Sequence, residues 1–367
     1  MTPAIGTTTP LPILLVIPTG IGCHIGGYAG DGLPAARLLA AASGCLITHP
    51  NVMNGAALYW SDPRIHYVEG WALNRFAAGD LALAPVRQRQ VGLLLDAGIE
   101  PELRQRHLQV ADACRATLGL AVGPVLTTER PLGVALSRSS SGASGGGLLH
   151  PDELLRAGER LREAGATAIA VVTRFPDDNG QQELAAYRGG NGVDGLAGAE
   201  AVISHLLGRH LGIPCAHAPA LAPLPLEIGL DPRAAAEELG HTFLPCVLVG
   251  LSRAPDLVPL LPPSPLAASA VLPAGAIHPG GIGAVVAPAG ALGGEAVLRC
   301  AERGLPVIAV QGNACVLEVT GAALGIAVLP AASYAEAAGL VLALREGIAP
   351  QALVRPLASL GGAAELL

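Results

Sequence analysis

Six glycines, Gly20, Gly22, Gly26, Gly27, Gly30 and Gly32, crowd into the stretch LPILLVIPTGIGCHIGGYAGDG at residues 11–32, with His24 and Asp31 among them. Backbone N–H groups freed by such a turn, ahead of a helix N-terminus, can hold an anion. The histidine and aspartate beside them are candidates to move a proton. The same glycines would equally serve a turn whose only task is close strand–helix packing. Their spacing is neither a dinucleotide fingerprint nor a P-loop.

Polar residues recur just beyond other apolar runs, where α/β proteins collect ligand contacts. His49, Asn51 and Asn54 follow CLIT, Glu69 follows IHYV, and Asp96 closes VGLLLD. Arg174 closes AIAVVTR, and Ser252 with Arg253 closes FLPCVLVGLSR. Arg188 lies in a long polar stretch, with Tyr187, Asn191 and Asp194, and Asn313 lies in QGNAC. The acid–base candidates are therefore His24, Asp31, His49, Glu69 and Asp96. The ligand-binding candidates are Gly20, Gly22, Gly26, Gly27, Asn51, Asn54, Arg174, Arg188, Ser252, Arg253 and Asn313. For the asparagines and His49 the competing role is to satisfy their own turn.

All 22 basic residues are arginine and none is lysine. Schiff-base chemistry and a Walker lysine are thereby excluded. Anion binding would fall to arginine, backbone N–H groups or a metal. The cysteines, at 23, 45, 114, 215, 246, 300 and 315, are scattered without a CxxC and read as reduced core residues of a cytoplasmic protein. Cys215, His217, His205, His241 and Cys246 match no strong zinc pattern, so no metal is assigned. No cofactor follows from the residues. A net charge of −7 without an arginine–aromatic surface excludes nucleic acid as the expected partner. No apolar run reaches the roughly 20 residues of a membrane span, and the start carries no signal-peptide pattern. With 51% apolar and 14% charged residues, extensive burial or a homo-oligomer interface is expected.

The elements that would position these residues read as α/β, with Rossmann-like lobes of parallel sheets flanked by helices. Strands are expected at 13–17, 45–48, 65–70, 91–96, 167–172, 242–250, 284–287, 305–311 and 326–329. Helices are expected at 33–42, from 71, and at 101–118, 151–165, 199–211, 233–239, 295–303 and 316–324, with a last one ending near 345. SRSSSGASGGG, residues 137–147, reads as a hinge between lobes, with a second phosphate loop as the alternative. Residues 179–198 read as a functional or mobile loop. IPCAHAPALAPLPLEIGLDP reads as a proline-rich connection, and 254–279 as a second linker. The lobes are 1–138, 139–265 and a C-terminal βαβ segment, 266–367, that could pack with the first.

The stretches PTGIGCHIGGYAGDGLP, LITHPNVMNGAALYW, DAGIEPELRQRHLQVADACRATLGL, ISHLLGRHLGIPCAHAPAL and AAAEELGHTFLPCVLVGLSRAP resemble a bacterial domain-of-unknown-function family, best known from cyanobacteria and actinobacteria. The resemblance spans nearly the whole chain and carries no catalytic residue with it. In that family an acidic residue followed by Asn and Thr is more usual where this chain has Gln311, Gly312 and Asn313, which argues against a shared catalytic role for Cys315. Separately, APAGALGGEAVLRCAERGLPVIAV is similar to the donor-binding half of two-domain glycosyltransferases, an analogy of fold only.

The expected function is an enzyme acting on a small anionic metabolite, carboxylated or phosphorylated, in a cleft between lobes. The alternatives are glycosyltransferase-like transfer from a nucleotide-activated donor, and a non-catalytic metabolite-binding or assembly protein.

Overall fold

The computed structural model describes residues 9–55, 61–177, 181–239, 243–260 and 272–357. His241 and the lobe boundary near 265 lie outside them.

The apolar runs of the two ends of the chain meet in one parallel sheet. Strands β1 (Leu11–Leu15), β2 (Gly44–Thr48) and β3 (Ile65–Tyr67) run outward in one direction. Strands β12 (Ala284–Pro288), β13 (Val307–Val310) and β14 (Leu329–Ala331) extend it in the other, giving the order β14-β13-β12-β1-β2-β3. Both faces are covered, which is why these strands read as unbroken apolar runs rather than alternating ones. Helices α1 (Leu33–Ser43) and α12 (Tyr334–Arg345) pack together on one face, and α3 (Gly70–Ala78) and α10 (Glu295–Glu302) on the other, with the single turns α2 (Pro50–Met53) and α11 (Gly321–Leu324) in the connections after β2 and before β14.

A second parallel sheet is built from the middle of the chain. Its order is β10-β9-β5-β6, with β5 (Val91–Leu95), β6 (Val122–Thr127), β9 (Ala168–Arg174) and β10 (Cys215–Ala220). The sheets therefore do not follow the expected boundary at 138, because β5 and β6 precede it and pair beyond it. One face carries α5 (Pro151–Glu163) and α7 (Ala197–Leu211), and the other α4 (Pro101–Leu118) and α9 (Phe243–Ser252). A pair of antiparallel ribbons, β4 (Leu81–Ala84) with β11 (Asp256–Pro259) and β7 (Val134–Arg138) with β8 (Ser144–Leu148), completes the described strands.

Four segments depart from the expectations for identifiable reasons. Residues 137–147 are not a hinge but the hairpin of β7 and β8; Gly146 admits α7, since a Cβ there would lie 2.6 Å from the Ala199 Cβ. The polar stretch 179–198 contains a helix, α6 (Gln181–Arg188). The proline-containing CAHAPA is β10, an edge strand, where Pro219 costs no central ladder bond. FLPCVLVGLS is a helix rather than a strand. Buried among β5, β9, β10 and α4, α9 is apolar all round, and such a run has no diagnostic period.

Candidate functional site

A cavity of about 420 Å³ opens where the carboxyl ends of the two parallel sheets face one another. The first sheet contributes Thr19 beyond β1, His49, Asn51 and Asn54 beyond β2, and Glu69 beyond β3. The second contributes His217 and Pro219 from β10. Helix α7 turns one face to the space, with Ala197, Glu200, Ala201, Ser204 and His205 at helical spacing. The loop Val193–Leu196 and helices α6 and α8 (Pro232–Leu239) close the far side. These helices are held to the glycine turn by stacking of Tyr28 on Tyr187 at 4.3 Å and by the Arg233 guanidinium over Tyr28 at 4.6 Å.

At the first-sheet end, Glu69 and His205 form a dyad. One Glu69 oxygen caps α3 by accepting from the Trp71 N–H (2.9 Å), and the other lies 2.8 Å from His205 Nδ1. Nδ1 also lies 2.9 Å from the Ala201 carbonyl, so both of its neighbours are acceptors, Nδ1 carries the proton, and Nε2 is the nitrogen left to take or release one. Burial alone would lower the His205 pKa, but the Glu69 hydrogen bond and charge outweigh it and raise it. His49 is the opposite case. Its Nε2 accepts the Ile17 N–H (3.1 Å), and burial, aided by the His205 charge, pushes its pKa down to about 4. Neutral His49 thus carries its proton on Nδ1, as a donor beside a base. Two groups with pKa values driven apart are what general acid–base chemistry requires.

At the other end three carboxyls share the space. Asp194 accepts the Leu196 N–H (2.8 Å), and burial, with the Glu200 charge, pushes it up to about 7. Glu237 accepts from the Tyr187 hydroxyl and from the Ala29 N–H, and burial, with the Asp194 charge, pushes it up to about 8. Glu200 lies 3.5 Å from His217 Nδ1. His217 itself is buried, and neither ring nitrogen makes a hydrogen bond.

Raised carboxyl pKa values have a stability consequence of definite sign. The folded state holds protons that the unfolded state has released, so stability falls as pH rises through the folded values. Between pH 6.5 and 8.5 the free protein is expected to lose on the order of 2 kcal/mol from Asp194 and Glu237. Thermal melts across that range should show the decline in wild type and a flatter profile in Asp194→Asn/Glu237→Gln. Identical slopes would mean that neither carboxyl is held protonated.

The cavity gathers His49, Glu69, Asn51, Asn54 and Arg188 from the residues singled out in the sequence. Arg188 reaches it with its guanidinium already engaged by Glu238 (2.8 Å) and the Pro225 carbonyl. Arg174 is likewise committed, to Glu100 (3.0 Å) and Asp177, away from any free anion position. Asp96 is a buried brace: Oδ1 accepts the Gly98 and Leu132 N–H groups (both 2.9 Å), and Oδ2 the Arg174 N–H (3.1 Å). Ser252 donates to the Val249 carbonyl within α9, and Arg253 is exposed at its end.

The glycine turn is filled by the protein itself. A Cβ at Gly27 would lie 2.1 Å from the Cys23 carbonyl oxygen, and one at Gly26, where φ is +83°, 2.6 Å from Ile17. Gly20 and Gly22 face Ser144 and Val193 in the same way. The turn is stitched by Asp31 accepting the Gly26 N–H, by Asn51 donating to the Gly26 carbonyl, and by Asn313 bonding both backbone groups of Ile25. Burial raises the Asp31 pKa to about 6. His24 is exposed, and its carbonyl accepts from Arg233. These close approaches are to protein atoms, so they supply the packing role for the glycines.

No motif in the local sequence marks Glu200 or Glu237, and Asp194, His205 and His217 stand out there only as loop contacts or as members of an unmatched zinc set. The available signal was the helical spacing of Ala197, Glu200, Ala201, Ser204 and His205. Among the described residues no group of three His, Cys, Asp or Glu side chains has the geometry to hold a metal ion. No described helix is long and apolar enough to cross a membrane.

A family model described as "Protein of unknown function (DUF3326)" matches residues 12–354. An uncharacterized lipoprotein of Synechococcus sp. is 54% identical over 343 residues, covering 94% of this chain and 93% of the relative. A solved structure of acetone carboxylase overlaps 50% of this chain at 16% identity and a TM-score of 0.19. This chain spans only 26% of that one, and a likeness so slight carries no argument.

Proposed function

Taking as premise that the chain belongs to this family of unknown function, DUF3326, we propose that it is an enzyme performing acid–base chemistry on a small uncharged or cationic metabolite held between the two sheets. The observation that carries this is the Glu69–His205 dyad with neutral His49 at the wall of a cavity of metabolite size. His205 would take a proton at Nε2, Glu69 would stabilise the resulting imidazolium, and His49 would donate from Nδ1 to a developing negative charge.

The polar groups of the wall redirect the expected substrate away from an anion. Glu69, Asp194, Glu200 and Glu237 surround the space, while the arginine in the wall is already paired. A carboxylated or phosphorylated ligand would meet carboxyl oxygens and no arginine free to hold it. Nucleotide-diphosphate transfer is disfavoured on the same ground.

The seven cysteines are all free thiols, six buried and one half-buried, as suits a reducing cytoplasm.

The test is untargeted. Wild-type protein and His205→Asn are incubated with a small-molecule extract, and consumption and appearance of masses are followed. At least one pair of masses should interconvert with wild type and slow by about 10²–10⁴ with the variant. Equal conversion by both proteins would remove His205 from the chemistry and with it this reading.

A further inference from the structure

Beyond the dyad lies a second, separate set of groups that acid–base chemistry does not use. Glu200 sits five residues before His205 on α7, about 7.5 Å along the helix axis. Around it stand Asp194 from the preceding loop, Glu237 from α8 and His217 from β10. Asp194 takes the Leu196 N–H on Oδ1, with the Ala197 N–H also directed at its carboxyl, and Glu237 takes Tyr187 and Ala29 on Oε2, leaving Oε1 uncommitted. His217 has a side chain only 1% exposed, and both its ring nitrogens are without a hydrogen bond. A buried polar side chain left unpaired costs on the order of 1–3 kcal/mol unless something completes it.

From this juxtaposition we infer that Asp194, Glu200, Glu237 and His217 form a subsite for an organic ammonium group, so that the substrate is a small primary amine. The inference rests on the proposed function for the cavity and adds the substrate class. Three carboxyls against one space need either protons or a cation. An ammonium supplies a positive charge and three N–H donors, one for each of three acceptors among the carboxyl oxygens and the acceptor nitrogen of a neutral His217. A bare metal ion is the poorer occupant, because no described group of three ligands has the required geometry. The remaining wall, with Leu184, Val193, Leu196, Leu221, Leu224 and Val247, is apolar and suits a carbon skeleton. The dyad then stands within reach of a carbon near the amine, on the neighbouring turn of α7.

Two matched sets of probes test this by calorimetry and thermal shift. The first is 1,4-diaminobutane, 1,4-butanediol and succinate; the second is glucosamine, glucose and glucuronate. Within each set the skeleton is nearly constant and the charge runs from positive through neutral to negative. In at least one set the amine should bind at least tenfold more tightly than the neutral probe, with no binding of the acid. Glu200→Gln should weaken that amine at least tenfold while still melting cooperatively. His217→Ala serves as a second variant with the same expected loss. Acids binding as tightly as amines, an undiminished affinity in Glu200→Gln and His217→Ala, or no binding of either amine would each overturn the subsite. The two readings fail separately. Amine preference with no His205-dependent turnover leaves a binding site without the chemistry. His205-dependent turnover without amine preference leaves the chemistry and removes the subsite.

Discussion

Asp96→Ala should lower the unfolding free energy by about 3–5 kcal/mol, because the buried carboxylate is the acceptor for three backbone donors at once, one of them buried and two partly so. Those donors belong to Gly98, Leu132 and Arg174, so one side chain ties the end of β5 to the approach to β7 and to the end of β9. Removing it leaves each N–H desolvated and unpaired at a position where Asp96 is 1% exposed. Asp96→Asn keeps a carbonyl acceptor and should lose roughly half as much. Denaturant midpoints of the three proteins check the order. An Asp96→Ala protein that melts like wild type but has lost all turnover would make Asp96 a catalytic acid instead of a brace.

Asp96 illustrates how far the sequence could be read. A carboxylate directly beyond a buried strand is where ligands are met in α/β proteins, and it is equally where the next loops must be fastened. Nothing local distinguishes the two, since the donors come from residues 2, 36 and 78 positions away. Arg174 and Arg188 were ambiguous for a related reason: Asp177 is local to Arg174, but Glu100 and Glu238, which complete the two pairings, lie 74 and 50 residues distant.

What was legible is whatever depends on neighbours in the chain. The apolar runs of β1, β5, β9 and β12 and the bounds of α4 stand in the sequence, because periodicity and proline or glycine punctuation are local. Failure came where the signal has no period, as in α9, or where glycines could be explained twice. The glycines of residues 20–27 mark positions that tolerate no Cβ, and a sequence cannot say whether a ligand or Cys23 and Ile17 take up the room. In the hairpin of β7 and β8 they admit a helix, where composition suggested a hinge.

The cavity was hidden for a different reason. Its carboxyl end is assembled from Asp194, Glu200, His217 and Glu237, on a loop, two helices and a strand. Residues 194 to 237 are close in sequence, yet their convergence needs the turn from α7 into β10 and the return of α8. The dyad spans still more, pairing Glu69 of the first sheet with His205 beside the second. The site exists only because the carboxyl ends of two sheets are set face to face.

That placement is the central claim, and filling the cavity tests it most directly. Ala201 lines the space from α7 between Glu200 and His205, and its small side chain leaves room that an indole would occupy. Ala201→Trp keeps the α7 backbone, including the Ala201 carbonyl 2.9 Å from His205 Nδ1. Calorimetric titration of 1,4-diaminobutane and glucosamine into this variant should show no binding of whichever amine wild type binds, a loss of at least a hundredfold. Its thermal melt should stay cooperative, since the indole enters a void and displaces no core side chain. A cooperatively folded Ala201→Trp that binds the amine as tightly as wild type would contradict the account and move the site out of this cavity.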